Sequence, residues 1–214
     1  MTERIGSTEP VSLTHLLGGR RGALDASLPP AAFVVGWLVS GRSIAWGAVA
    51  AIAVGVIVGV LRLVRGHRVT AVLASVAVVA AGALVALYTG RAQDFFLIQL
   101  LANIASALAW AVSILIRWPL LGLVVGTLLG QKTRWRRDPD LLRAYGRASW
   151  VWVGQYTLRV LVYGLLWWTG AVVALAVARV ALSWPLVAAT VAVSAVVLRR
   201  SLPADHPGLR QPST

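Results

Sequence analysis

Apolar residues run along this chain in blocks, at about 28 to 40, 44 to 64, 69 to 88, 96 to 116, 118 to 130, 149 to 168 and 171 to 198, with most charges between them. A helix of roughly 20 apolar residues crosses a hydrocarbon core about 30 Å thick. Nothing alternates with the period of two that a transmembrane barrel needs. The blocks therefore predict an all-α membrane protein with about six transmembrane helices. The block 118–130 is too short for that role, because its thirteen residues extend only about 20 Å as a helix. It predicts a short re-entrant or interfacial helix, with a thin, tilted span as the alternative.

Punctuation divides the chain further. Residues 1–24 are polar and predict a cytoplasmic N-terminal tail, 25–200 a single polytopic membrane domain, and 201–214 a cytoplasmic C-terminal tail. Arg117-Trp118-Pro119-Leu120 and Ser183-Trp184-Pro185-Leu186 both interrupt apolar runs, a weak internal repeat in which Pro disfavours helix at the preceding residue. The second interruption makes 171–198 either one kinked span or a span plus a shallow helix. Asp138-Pro139-Asp140 predicts a helix start, with an N-cap, Pro in the first turn and an acid at the positive dipole end. Leu141, Leu142 and Tyr145 then form an apolar stripe suited to the surface of a membrane leaflet. Gly122, Gly126 and Gly130, and the pair Gly55 and Gly59, make flat faces for close helix packing, within the chain or between copies.

Composition agrees with lipid as the solvent. With 58% hydrophobic residues, 13% charged and a mean hydropathy of +0.79, the chain has more apolar surface than a soluble domain of 214 residues could bury. The net charge of +13 would suggest nucleic acid in a soluble protein, but the basic residues collect between the apolar runs and no aromatic-basic platform or recognition helix accompanies them. They read as topology signals. Counting them places both termini, 62–68, 117, 132–147 and 199–200 on the cytoplasmic side. The densest group, Lys132, Arg134, Arg136, Arg137, Arg143 and Arg147, is expected to face anionic lipid headgroups. A membrane-protein partner or a second copy of the chain also stays open. The Ala, Val, Gly and Arg bias is that of a GC-rich bacterial genome, which points to a bacterial plasma membrane.

Candidate chemistry is sparse. There is no Cys, so thiolate sites and disulfides are excluded. His15, His67 and His206 have no spaced companions, which leaves no metal site or catalytic dyad, and no cofactor motif is visible. Arg159 stands near the middle of an apolar block, where insertion costs about 2.5 to 3.5 kcal/mol, so it needs a buried partner. Gln155 and Tyr163 flank it on one helix face. Asn103 and Gln99 share a face of another helix, and Asp25 and Asp94 are the acids near the membrane. These seven residues form the candidate intramembrane polar site. Arg159 is either a packing pin held by an acid or by helix carbonyls, or a contact for substrate or lipid phosphate. Arg179 is less surprising if it borders a kink.

The order Leu24-Asp25, Leu28-Pro29, Phe33, the turn Thr89 to Phe96, and Ser113 through Leu120 resembles an uncharacterised actinobacterial membrane-protein family of unknown function. More distantly the layout is similar to the intracellular septation protein A family. Pro29, Phe33, Arg117, Pro119 and Leu120 match that family's pattern; Asp25 is displaced by one place, and the Asn motif of the fifth span is absent. The resemblance implies an inner-membrane protein of envelope upkeep or division. The leading expectation is a non-enzymatic plasma-membrane protein supporting cell-envelope or septum organisation. The alternative is a small transporter or lipid-handling membrane protein.

Overall fold

The computed structural model describes residues 19–130 and 133–203, and all regular structure among them is helical. Lys132, His15 and His206 lie outside the described residues, as does most of each expected tail. Eight α-helices follow in order: α1 Gly19–Val39, α2 Ile44–Val64, α3 Val69–Thr89, α4 Leu97–Leu115, α5 Leu120–Leu128, α6 Pro139–Trp168, α7 Val172–Ala181 and α8 Trp184–Ser201. Short 3₁₀ turns at Ala92–Phe96 and Arg134–Arg137 precede α4 and α6. Residues 19–24, expected as tail, are already helical.

Among the described residues four helical segments are long and apolar enough to cross a membrane: Ile44–Val64, Val69–Thr89, Ala92–Leu115 and Trp184–Ser201. This corrects the expected six to about four. The expected first span at 28–40 falls in a shorter apolar stretch at Asp25–Val39, among the described residues not long enough to qualify. The expected fifth span is fused to a polar first half in the 30-residue α6, and Gln155, Tyr156 and Arg159 dilute its apolar run. The last apolar block is divided at Leu182 and Ser183 into the ten-residue α7 and the 18-residue α8, of which only α8 qualifies. The nine residues of α5 extend about 13 Å, well short of a hydrocarbon core about 30 Å thick.

Helices α1 to α4 alternate in direction, α6 runs back from the basic end, and α7 and α8 both run towards it, which defines two ends. One, here the basic end, holds the start of α1, the α2–α3 turn, the α4–α5 break, the start of α6 and the end of α8. The far end holds the turns at Gly41, Gly90 and Gly170, each with φ near +70°. Helix α1 packs on α2, α2 on α3, α4 on α6, and α6 on α8, while α7 lies against α1 and α6.

Small residues set the closest approaches. A methyl group on Gly36 would lie 2.8 Å from Ala50 Cβ, and one on Gly47 would lie 2.9 Å from the Phe33 carbonyl, so α1 and α2 meet almost backbone to backbone. Gly55 and Gly59 face Val79, Val72 and Val76 of α3, which makes that stripe an intramolecular contact. Towards the far end Phe33, fully buried, stacks on Phe95 at 4.1 Å, and Phe96 meets both rings edge-on. A second core at the basic end joins Leu121, Trp135, Leu141, Tyr145 and Leu198.

Candidate functional site

The predicted polar residues divide into separate arrangements. Asp25, at the basic end, pairs with Arg62 at 3.6 Å and Arg65 at 3.5 Å, both from the end of α2. Asp94, buried at the far end, accepts the Trp167 indole N–H at 2.8 Å and lies 4.0 Å from Arg91. Neither acid meets Arg159. The Asn103 amide donates to the carbonyl of Gln99 one turn back at 2.6 Å. Gln155 is buried, and among the described residues neither end of its amide has a hydrogen-bond partner.

Arg159 instead reaches the interruption between α7 and α8. Its guanidinium donates from Nε to the Leu182 carbonyl at 2.9 Å, from Nη2 to the same oxygen, and from Nη2 to the Ser183 carbonyl at 3.2 Å. Pro185 has no N–H, and a helix that stops leaves its last carbonyls without intrahelical donors. In hydrocarbon no water replaces them. The planar fork of Arg159 therefore caps a helix end from a neighbouring helix. Of the two kinds of partner foreseen for a packing pin, an acid or helix carbonyls, the structure places the carbonyls.

Arg179 occupies the other side of the same region. It lies nine residues beyond Gly170 and Arg159 nine residues before Trp168, so each is about 13 Å along its helix from the far-end turn. Among the described residues Arg179 makes no hydrogen bond and no ion pair. It lines two adjoining cavities. One, of about 130 Å³, is enclosed by Pro30, Val78, Val79, Phe95, Ile98, Gln99, Ala102 and Arg179. The other, of about 10 Å³, lies between Phe96, Gln99, Tyr163, Leu175 and Arg179. Gln99 thus lies beside Arg179, and Tyr163 lies near both Arg159 and Arg179.

The basic end has a different geometry. Asp138 caps α6 by accepting the amides of Asp140 at 3.0 Å and Leu141 at 3.1 Å, with Pro139 in the first turn. Trp135 is fully buried and stands edge-on to Tyr145 at 5.5 Å. Its ring fills the space beside Gly122, where an added methyl group would lie 2.9 Å from it. The stripe expected to lie on a leaflet is therefore turned inward, because Leu141 and Tyr145 are also fully buried. Burial, with the Asp138 charge adding to it, pushes the Tyr145 hydroxyl up to about 12, so it stays protonated in neutral solution.

Outside this core, Arg136 lies over the Trp118 ring at 4.1 Å, Arg143 pairs with Asp140 at 2.7 Å, and Arg137 and Arg147 are exposed. For Arg134 only the backbone is described. A groove of about 370 Å³ runs between Ile114, Arg117, Pro119, Pro139, Leu142, Arg143 and Gly146. Arg117 enters it with φ +56°, a left-handed conformation that elsewhere in the described chain is taken by five glycines and by Arg42.

A model for a protein family of unknown function, DUF3159, matches residues 17–205. The chain belongs to the DUF3159 family. That match spans every helix described above and carries no assigned activity. No curated protein matches the chain, and no solved structure matches it. As a DUF3159 member it is a multi-pass membrane protein by its helices, and neither the family match nor the bundle links it to septation.

Proposed function

We propose that this DUF3159 protein is a non-enzymatic plasma-membrane protein that organises the lipid around it by holding anionic phospholipid headgroups at its basic end. The observation that carries this reading is Arg117. A non-glycine residue in the left-handed region costs of order 1 kcal/mol, and such conformations concentrate where a side chain has a task. Here the left-handed turn sets Arg117 in a groove with Arg143, and Ile114 and Leu142 supply apolar walls. Basic pockets between helices on the cytoplasmic side are suited to phosphate headgroups, with acyl chains lying along the apolar wall. In this reading the basic end faces the cytoplasm, following the positive-inside bias. A role in envelope or septum organisation would use the same surface, and rests on the family resemblance alone.

The test is exchange of fluorescent phosphatidylglycerol into the purified protein, with phosphatidylcholine as control. Each arginine near an anionic surface contributes about 1 kcal/mol, so Arg117→Gly with Arg143→Gln should weaken phosphatidylglycerol by about thirtyfold and leave phosphatidylcholine unchanged. Equal affinity of the double variant and the unaltered protein sinks the reading. Cysteines placed at Thr133 and at Tyr88, which is 93% exposed, should label from opposite faces of the membrane.

A second reading, a small transporter or lipid-handling protein, is favoured by the interrupted crossing at Leu182 and Ser183 beside the Arg179 cavity. Broken helices at membrane depth are a recurring feature of transporter binding sites.

A further inference from the structure

Arg179 and Gln99 line two adjoining cavities, the larger of about 130 Å³, and Tyr163 borders the smaller one beside them. Arg179 comes from α7, Gln99 from α4 and Tyr163 from α6. Among the described residues none of these side chains makes a hydrogen bond, although hydrocarbon offers no water to replace one. Tyr163 lies near both Arg159 and Arg179. Arg159 donates from Nε and Nη2 to the Leu182 and Ser183 carbonyls. Arg179 has no such carbonyl and no carboxylate, and an isolated cation at this depth is expensive.

The rest of the lining is apolar, and it opens in one direction. Val78 is 54% exposed and Ala102 is exposed, so the wall formed by α3 and α4 meets the lipid-facing surface. Below the 3₁₀ turn at Ala92–Phe96 these two helices touch little, which leaves a seam between them. The larger cavity, about 130 Å³, has room for a carboxylate and a few methylene groups but not for a whole lipid. A ligand anchored here must leave its remainder in the seam.

We infer that Arg179, Gln99 and Tyr163 form a binding site for the carboxylate of a lipid-soluble acid, whose alkyl chain enters sideways from the bilayer between α3 and α4. The guanidinium supplies the counter-charge and two parallel donors. The Gln99 amide and the Tyr163 hydroxyl each supply one further donor, and Pro30, Val79 and Ile98 surround the first methylenes. This site lies at membrane depth, apart from the Arg117 groove, and does not depend on it.

The experiment measures palmitate binding to the full-length protein in nanodiscs, with hexadecanol as the neutral counterpart and butyrate as the water-soluble acid. Palmitate should bind about tenfold or more tightly than hexadecanol, and Arg179→Gln should remove that preference, because truncating one partner of a buried charge pair loses most of its binding. Arg42→Gly, at the far-end turn, should bind as the unaltered protein does. If Arg179→Gln fails to insert, Tyr163→Phe with Gln99→Leu serves instead, and should weaken palmitate by about tenfold. Equal binding of palmitate and hexadecanol, or full palmitate affinity in Arg179→Gln, overturns the site. Butyrate competing at the same concentration as palmitate overturns entry from the bilayer.

Discussion

The chain writes Trp-Pro-Leu twice, at 118–120 and at 184–186, and uses it in two ways. At the first, α4 ends by its own means. Arg117 takes the left-handed conformation, its amide donates to the Ile114 carbonyl at 3.0 Å, and the Trp118 amide donates to the Ser113 carbonyl at 2.8 Å. This is the Schellman pattern that closes helices next to water. The Ser113 hydroxyl ties both sides, donating to the Trp110 carbonyl and accepting from the Leu120 amide. At the second, no left-handed residue appears, Ser183 has φ −80° and ψ −102°, and the chain continues into α8. The Leu182 carbonyl is satisfied by Arg159 from α6. The same tripeptide therefore follows a self-contained helix end at the basic end and, between α7 and α8, an interruption whose carbonyls are held from another helix. What differs is the source of the donors.

The largest effect should come from removing the remote donor. Arg159→Leu strands the Leu182 carbonyl, and should cost about 2 to 4 kcal/mol, since a buried unpaired polar group forfeits its full desolvation penalty. Thermal unfolding in detergent reads it. Asp25→Asn or Asp94→Asn should not restore the loss, because those acids have other partners, and Arg159→Lys should fall between the two. An Arg159→Leu protein as stable as the original would erase the distinction between the breaks.

Next in size is Gly122→Ala, which brings a methyl against the Trp135 ring behind the first break and should cost about 1 to 3 kcal/mol by overpacking. Proteolysis near Arg136 and Arg137 would report the loosened corner. Ser113→Ala removes the hydroxyl from the self-contained exit and should cost about 1 kcal/mol, read by the same melt. Smallest, and opposite in sign, is Arg117→Gly. It relieves the left-handed strain and should stabilise by about 0.5 to 1 kcal/mol. A destabilised Arg117→Gly would mean that the arginine, not the turn, closes α4.

The sequence made some features easy to read. Residues 44–64 and 69–88 were bounded by Arg42, Arg65 and Gly90, and α2 and α3 follow those bounds almost to the residue. Asp138-Pro139 is local chemistry, so its cap was legible. The partners of Arg159 and the gathering of Gln99, Tyr163 and Arg179 were not. In water an apolar stripe tells which face of a helix points inward, but in lipid both faces are apolar and the rotational phase leaves little trace. The inward turn of Trp135, Leu141 and Tyr145 was missed for a related reason: amphipathic spacing fits a leaflet surface and a protein groove equally well. The count of six failed at two blocks: the apolar stretch at 28–40 is too short for a span, and that at 149–168 is diluted by Gln155, Tyr156 and Arg159.

The bond from Arg159 to the Leu182 carbonyl also sets an order of events during synthesis. Arg159 is made before residues 182 and 183, so α6 enters the translocation channel with its guanidinium unmatched. The ten residues of α7 extend about 15 Å, too little to hold a place in the bilayer alone. Only when α8 follows do the carbonyls arrive, and α6, α7 and α8 can then leave the channel together as one released unit. A chain cut short after Ala181 would lack the two carbonyls that Arg159 holds, and with them the bond that ties α6 to the α7–α8 break.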